Sequence, residues 1–344
     1  MADSPKVILS GFADEAAPEK TLDQQFSVFA ALGLSHFSIR FLDAGCGIKN
    51  VSQLSDAEVT TVRTRMSEFG LRVSSIGSPI GKVKLLDVVD GTNNRYIDPR
   101  TYLNQDVRRA CELAQAFETR LIRGFSFYPP RDSSAEACLD QTVDRLREIV
   151  TMCDECGLTF GLEVEANLVG HTGWLLAEIH RRVNHPALVL VFDGANLCIQ
   201  GFSPEQIFEQ YVAMKPGLGW LHVKDYRPAS PPPELVREDK TTKAGFIDEE
   251  ALNQFVPVGL GESAYGRVFD DLRSYLPHLC ARLAQRNIDG VCMELEPHLK
   301  KGGQFGGFSG ADGFGVALRH LCDLLDASHI GYELRQWPGI PATD

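Results

Sequence analysis

Asp289 to His298 reads DGVCMELEPH. An apolar run of strand type, Val291-Cys292-Met293, leads into Glu294-Leu295-Glu296 and then Pro297. Side chains alternate along a strand, so Glu294 and Glu296 would point to the same side of it. Burying such a pair is costly without a compensating charge. The stretch therefore asks for neighbouring strands to bury it and for a cation to meet its carboxylates.

The rest of the chain supplies the neighbours. Seven earlier runs have the same strand character: KVILSGF (6–12), SHFSIRF (35–41), RVSSIGS (72–78), RLIRGFS (120–126), TFGLEVE (159–165), LVLVFDG (188–194) and GWLHVKD (219–225), with GVCMELE (290–296) as the eighth. Between them lie amphipathic segments such as TLDQQFSVFAALG, DAEVTTVRTRMSEFG, DQTVDRLREIVTMCDECG and RVFDDLRSYLPHLCARLAQRN. Their apolar residues recur near a 3.6 period and each closes on Gly or Asn. Eight strands each followed by a helix predict an α/β protein of the (β/α)8 TIM-barrel type. A doubly wound open sheet is the alternative, but no Gly-rich phosphate fingerprint follows KVILSGF. No linker divides residues 1–344, so a single domain is expected. The one long irregular segment, about 226–263, follows the seventh strand and reads as a lid or partner-binding insert at the barrel's C-terminal face, or as plain loop around its PPP portion.

Composition narrows the function classes. At 344 residues, 44% hydrophobic and 23% charged, the chain can bury a sizeable core. A formal net charge of −12 argues against a nucleic-acid face or an anionic lipid surface, both of which need clustered Lys and Arg. The start, MADSPKVILSGFADE, lacks the basic region of a signal peptide, and no apolar stretch approaches the roughly 20 residues of a membrane span. Nine scattered cysteines, most inside apolar runs, fit a reducing, cytoplasmic setting. Cys153 and Cys156 have CxxC spacing but no second pair to complete a zinc site, so packing is the expected role.

The side chains that close the last four strands are Glu165, Asp193, His222 and Glu296. In a barrel these ends converge at the C-terminal face. Three oxygen ligands and one imidazole suit a divalent cation, Mn²⁺ first, with Mg²⁺, Co²⁺ and Zn²⁺ as competitors. Each residue alone has a structural reading, as a helix cap, a Lys partner or a packed core histidine; their conjunction on consecutive strands is what points to a metal.

GLEVEAN, LVFDGAN, WLHVKD with a downstream VGLGES, and DGVCMELEPH together resemble the sugar phosphate isomerase/epimerase family of xylose isomerase-like TIM barrels, which includes ketose 3-epimerases. IRFLDAGCGIKNVSQLSDAEV, SSIGSPIGKV, IRGFSFYPP and EPHLKKGGQFGGFSG extend the resemblance over nearly the whole chain. It implies that Glu165, Asp193, His222 and Glu296 are the ligands of a single metal, usually Mn²⁺. It also implies that the outer pair, Glu165 and Glu296, works as base and acid on opposite faces of a sugar carbon. The spacing after Asp289-Gly290 is one residue longer than the family commonly shows, which leaves Glu294 open beside Glu296, and Glu163 shares the face of Glu165. In both pairs the inner Glu is expected to support the site or the barrel core and to need a basic partner.

The implied chemistry is isomerisation or epimerisation of a keto sugar, by proton abstraction α to a carbonyl through a metal-bound enediolate. The same constellation would support β-elimination from a 3-keto C- or O-glycoside, with a smaller partner subunit in some relatives. A nuclease of the same barrel group needs more metals and more His, and a non-catalytic subunit of a heteromer is disfavoured because all four positions are filled. A small-molecule sugar or glycoside is the expected partner, and homo-oligomerisation is a family expectation. For substrate contacts the sequence offers Lys224, Arg40, Arg123, His171 and His298, each with an alternative role in ion pairing or capping. Phe125, Phe127, Tyr128, Phe305 and Phe308 could line a pocket for a bulky aglycone or simply pack loops together. KKGGQFGGFSG lacks the P-loop order and reads as a close-packed flap.

Overall fold

The computed structural model describes residues 6–228, 254–299 and 309–335. Every one of the eight runs forms a strand: β1 (Val7–Gly11), β2 (His36–Ile39), β3 (Arg72–Gly77), β4 (Leu121–Gly124), β5 (Thr159–Glu163), β6 (Leu188–Asp193), β7 (Leu218–Val223) and β8 (Val291–Leu295). They pair in parallel in the order β1-β8-β7-β6-β5-β4-β3-β2. A parallel bridge from Phe12 to Ser38 then brings β2 back to β1. An order that follows the chain round without reversal excludes the doubly wound sheet, which needs a switch point. The result is a nearly closed (β/α)8 barrel.

Eight principal helices alternate with the strands: α1 (Leu22–Ala31), α2 (Asp56–Glu68), α3 (Arg108–Ala116), α4 (Leu139–Glu155), α5 (Gly173–Val183), α6 (Pro204–Met214), α7 (Tyr265–Ala284) and α8 (Gly310–Ala327). The four closing residues read from the sequence, Gly33, Gly70, Gly157 and Asn287, all have positive φ, the left-handed turn that ends a helix. Starts are equally local. Ser55 with Glu58 and Ser203 with Gln206 form capping boxes on α2 and α6. All nine cysteines are free thiols, and Cys153 packs 4.0 Å from Cys111 of α3. Among the described residues no helix is long and apolar enough to cross a membrane.

The barrel interior sets the floor of the site. Gly161 lies two residues below Glu163, and Trp220 two below His222, so the alternation of β5 and β7 turns all four toward the axis. A Cβ on Gly161 would meet Trp220 Cη2 at 2.0 Å, so the buried indole fills the space the glycine leaves. Gly161→Ala should therefore destabilise the barrel by about 1–3 kcal/mol. Chemical denaturation would check this, and a loss below about 0.5 kcal/mol would mean that the indole can shift freely.

The insert after β7 is rooted at the same end of the barrel. Asp225–Tyr226 pairs antiparallel with Phe255–Val256. Asp225, of the HVKD element, accepts N–H groups from Gly259, Gly261 and Ser263 of VGLGES, which ties the two elements together in space. Phe255 then lies edge-on to His298, 5.0 Å between ring centres. Residues 229–253 of the insert and 300–308 of the glycine-rich run, with Phe305 and Phe308, lie outside the described residues.

Candidate metal and active site

Four side chains meet where β5 to β8 end. Glu163 closes β5, Asp193 closes β6, His222 sits near the end of β7, and Glu296 follows β8; all are buried, and their ligand-type atoms lie within 4.8 Å of one another. Register explains the common depth. His222 stands opposite Asp193 on one side and Glu294 on the other.

Each is aimed by its local structure. Asp193 caps the short helix Gly194–Cys198: Oδ1 accepts the N–H groups of Ala195 and Asn196, while Oδ2 lies 3.0 Å from Lys224 Nζ. The Glu296 N–H donates to the Val223 carbonyl at 3.1 Å, so the ladder runs one residue past β8 and keeps this side chain facing inward. Its carboxylate takes Lys224 at 2.8 Å and the Arg40 guanidinium. Arg40 also reaches Asp14 at 3.1 Å and Glu15 at 3.3 Å, over the face of Phe12. Glu163 takes the Asn196 amide at 3.2 Å and stands 3.4 Å from Arg123 Nε. His222 places Nδ1 3.1 Å from Glu163 and Nε2 3.3 Å from Glu294, without a linear hydrogen bond to either.

Charge is out of balance in this volume. Six buried carboxylates (Asp14, Glu15, Glu163, Asp193, Glu294, Glu296) face four basic side chains, Arg40, Arg123, Lys224 and, beside Asp14, Lys20. Burial drives the His222 imidazole toward neutrality, but Glu163 and Glu294 outweigh it and raise its pKa to about 10. Burial likewise opposes ionisation of Glu163 and Glu296. His222 and Arg123 nevertheless hold Glu163 at about 2, and Lys224 and Arg40 hold Glu296 well below the usual carboxylate range. Burial wins at Asp193, pushed up to about 6 despite Lys224, and at Asp14, also about 6 despite Arg40. A site that recruits an imidazolium proton to balance its acids, and presents three oxygen donors and one nitrogen, fits a divalent cation.

The family described as the xylose isomerase-like TIM barrel matches residues 26–324. The chain belongs to that family. No curated protein is detectably similar in sequence. Solved structures share the fold at low identity. A D-allulose 3-epimerase from Methylomonas sp. superposes with a TM-score of 0.62 at 15% identity, covering 94% of this chain and 100% of that one. A xylose isomerase-like TIM barrel protein from Mycobacterium smegmatis in complex with magnesium gives 0.58 at 17%, covering 94% and 97%. The probable 3-DHS dehydratase AsbF from Bacillus anthracis gives 0.60 at 16%, covering 93% and 99%.

Within this xylose isomerase-like barrel the structure differs from the sequence reading at one cluster position. Glu163, not Glu165, joins Asp193, His222 and Glu296. β5 ends at Glu163 and its last ladder bond, from the Val164 N–H to the Val191 carbonyl at 3.3 Å, falls one residue short of Glu165, so the strand alternation that would turn Glu165 inward no longer applies. Glu165 instead stands 26% exposed at the barrel mouth, 3.0 Å from Lys82, whose ammonium rests 4.2 Å above the Phe125 ring. Arg40, Arg123 and Lys224 contact cluster carboxylates, and His298 lies 2.9 Å from Glu15 and 3.7 Å from Glu296. His171 stays in its loop, with Nδ1 3.1 Å from the Leu168 carbonyl. Phe125 and Tyr128 form a small apolar group with Leu168, while Phe127 packs into the main core. Sequence reasoning missed Asp14 and Glu15, which follow β1 in FADE. Asking which acids close the first strand, as for the last four, would have found them.

Proposed function

We propose that this protein is a divalent-metal-dependent enzyme of carbohydrate metabolism that moves a proton at the carbon α to the carbonyl of a keto sugar, as an isomerase or epimerase. The convergence of Glu163, Asp193, His222 and Glu296 at the C-terminal face carries this reading. These four would hold the cation, with Mn²⁺ first and Mg²⁺, Co²⁺ or Zn²⁺ as competitors. A bound cation would polarise the substrate carbonyl and its neighbouring hydroxyl. Glu163 and Glu296, on non-adjacent strands, are the base and acid: the ionised one takes the proton from the carbon, and the other, carrying a proton taken up from solvent, returns one. Lys224, between Asp193 and Glu296, keeps both carboxylates in place and offers its ammonium to a substrate oxygen. Arg40 and Arg123, with their guanidiniums against Glu296 and Glu163, hold those two in place and favour the ionised form of whichever acts as the base.

The deciding experiment is incubation of the EDTA-stripped, Mn²⁺-reconstituted protein in D₂O with panels of ketohexoses and 3-keto-glycosides, followed by NMR. Deuterium beside the carbonyl of an isomerised or epimerised sugar is the expected result. Release of an aglycone would make the protein a lyase. No metal-dependent exchange on either panel would remove the reading.

Cation binding should also depend on pH with a fixed sign. His222, raised to about 10, must give up a proton to bind, so apparent Mn²⁺ affinity should rise about tenfold per pH unit between 7 and 9. Below about 6 protonation of Asp193 should steepen the dependence. Calorimetry in buffers of different ionisation enthalpy checks this, because binding at pH 8 should release close to one proton per site.

A further inference from the structure

Beneath the cluster the barrel holds a polar scaffold that the proton-transfer chemistry leaves unused. Glu294 is fully buried. It accepts hydroxyl donation from Ser74 at 2.6 Å and from Ser75 at 2.8 and 3.1 Å, both on β3. Behind them stand Ser10 of β1, 2.7 Å from Ser74, and Ser38 of β2, 2.8 Å from Ser75. A hydroxyl has one proton to give. With Ser74 and Ser75 spending theirs on the carboxylate, Ser10 and Ser38 must donate to them, so four hydroxyls on three strands are polarised toward Glu294.

The remaining neighbour of Glu294 is His222 Nε2 at 3.3 Å. Glu294 is not one of the four side chains whose ligand-type atoms converge, so Nε2 points away from that cluster. Nδ1 faces Glu163 and the cluster, so it is the nitrogen that a cation held there would meet, which leaves Nε2 to carry the ring proton of a neutral imidazole toward Glu294. Tyr265 fixes the backbone on the same side by donating to the His222 carbonyl at 2.6 Å, and Phe12 closes the ring edge-on at 5.1 Å.

We propose that Glu294, anchored by Ser10, Ser38, Ser74 and Ser75, is a positioning residue that holds His222 as the Nε2–H tautomer and thereby selects Nδ1 as its cation-binding atom. The inference rests on the metal-site reading above. It also assigns the two acids of MELE separate roles: Glu296 faces the cation and the substrate carbon, and Glu294 sets the nitrogen ligand from below. An anionic acceptor there makes the imidazole a stronger donor than a neutral one would.

The test uses Mn²⁺ alone as probe, read by EPR, and the ¹⁵N shifts of His222 in the Zn²⁺-loaded protein. In the wild type Nε2 should be protonated and Nδ1 on the metal. Glu294→Gln, which keeps the shape and an acceptor oxygen, should weaken Mn²⁺ binding by about 10- to 100-fold, with circular dichroism unchanged. Glu294→Leu, which offers no acceptor, should weaken it further and allow both tautomers. The paired Ser74→Ala and Ser75→Ala substitutions give the same readout, with a smaller loss, should either Glu294 variant fail to fold. Wild-type affinity in the folded variants, or a wild-type spectrum with Nε2 on the metal, would overturn the proposal. A wild type that binds no Mn²⁺ would overturn the metal-site reading first and the positioning role with it.

Discussion

Glu163→Gln and Glu296→Gln should each lower proton exchange α to the carbonyl by about a thousandfold, within the range expected for losing a positioned general base or acid. Glutamine keeps the volume and a coordinating oxygen, so the fold should persist while the proton acceptor is gone. Glu165→Gln is the informative control. Its carboxylate is partly exposed and paired with Lys82 at the mouth, so its loss should cost less than about tenfold. The comparison is made on one substrate by deuterium wash-in. Full exchange in Glu296→Gln would remove that residue from the mechanism. A collapse in Glu165→Gln with a mild effect in Glu163→Gln would show that the loop carrying Glu165 folds inward over the substrate.

Arg40→Ala should be the most destabilising single change near the site. The guanidinium is shared by Asp14, Glu15 and Glu296, all buried; its removal takes the main cation from Asp14 and leaves Glu296 to Lys224 and Glu15 to His298. Breaking a buried pair in this way typically costs about 3–5 kcal/mol, which for a chain of this size lowers the melting temperature by roughly 4–7 °C. The pH dependence has a definite sign. Asp14 is already raised to about 6 in the fold, above its ordinary value, and losing Arg40 raises it further. An acid whose pKa is raised by folding binds protons better in the native state, so the deficit should be greatest above about pH 7 and shrink toward pH 5 as Asp14 protonates. Thermal denaturation of both proteins across that range checks it. A loss under about 1 kcal/mol, or one that grows as pH falls, would contradict the ion-pair account.

The sequence by itself determined the barrel. Strands and helices are written in short-range periods, and their ends in single residues such as Gly33, Gly70, Gly157 and Asn287, whose left-handed backbone needs no distant partner to be predicted. Asp193, His222 and Glu296 were legible for the same reason, as the ionisable residues closing consecutive strands. Only the tertiary structure shows which of Glu163 and Glu165 joins the cluster, because periodicity fixes which face a residue shares but not where the hydrogen-bond ladder stops; on β5 its last bond runs from the Val164 N–H to the Val191 carbonyl, one residue short of Glu165, and Lys82 pairs with Glu165. The same holds for Glu294, whose serine partners lie about two hundred positions or more away in the chain, and for Arg40, whose grip on Asp14 and Glu296 exists only once β1, β2 and β8 lie together in the closed barrel. Charge compensation is a property of neighbours in space, and the closure of the barrel is what makes these residues neighbours.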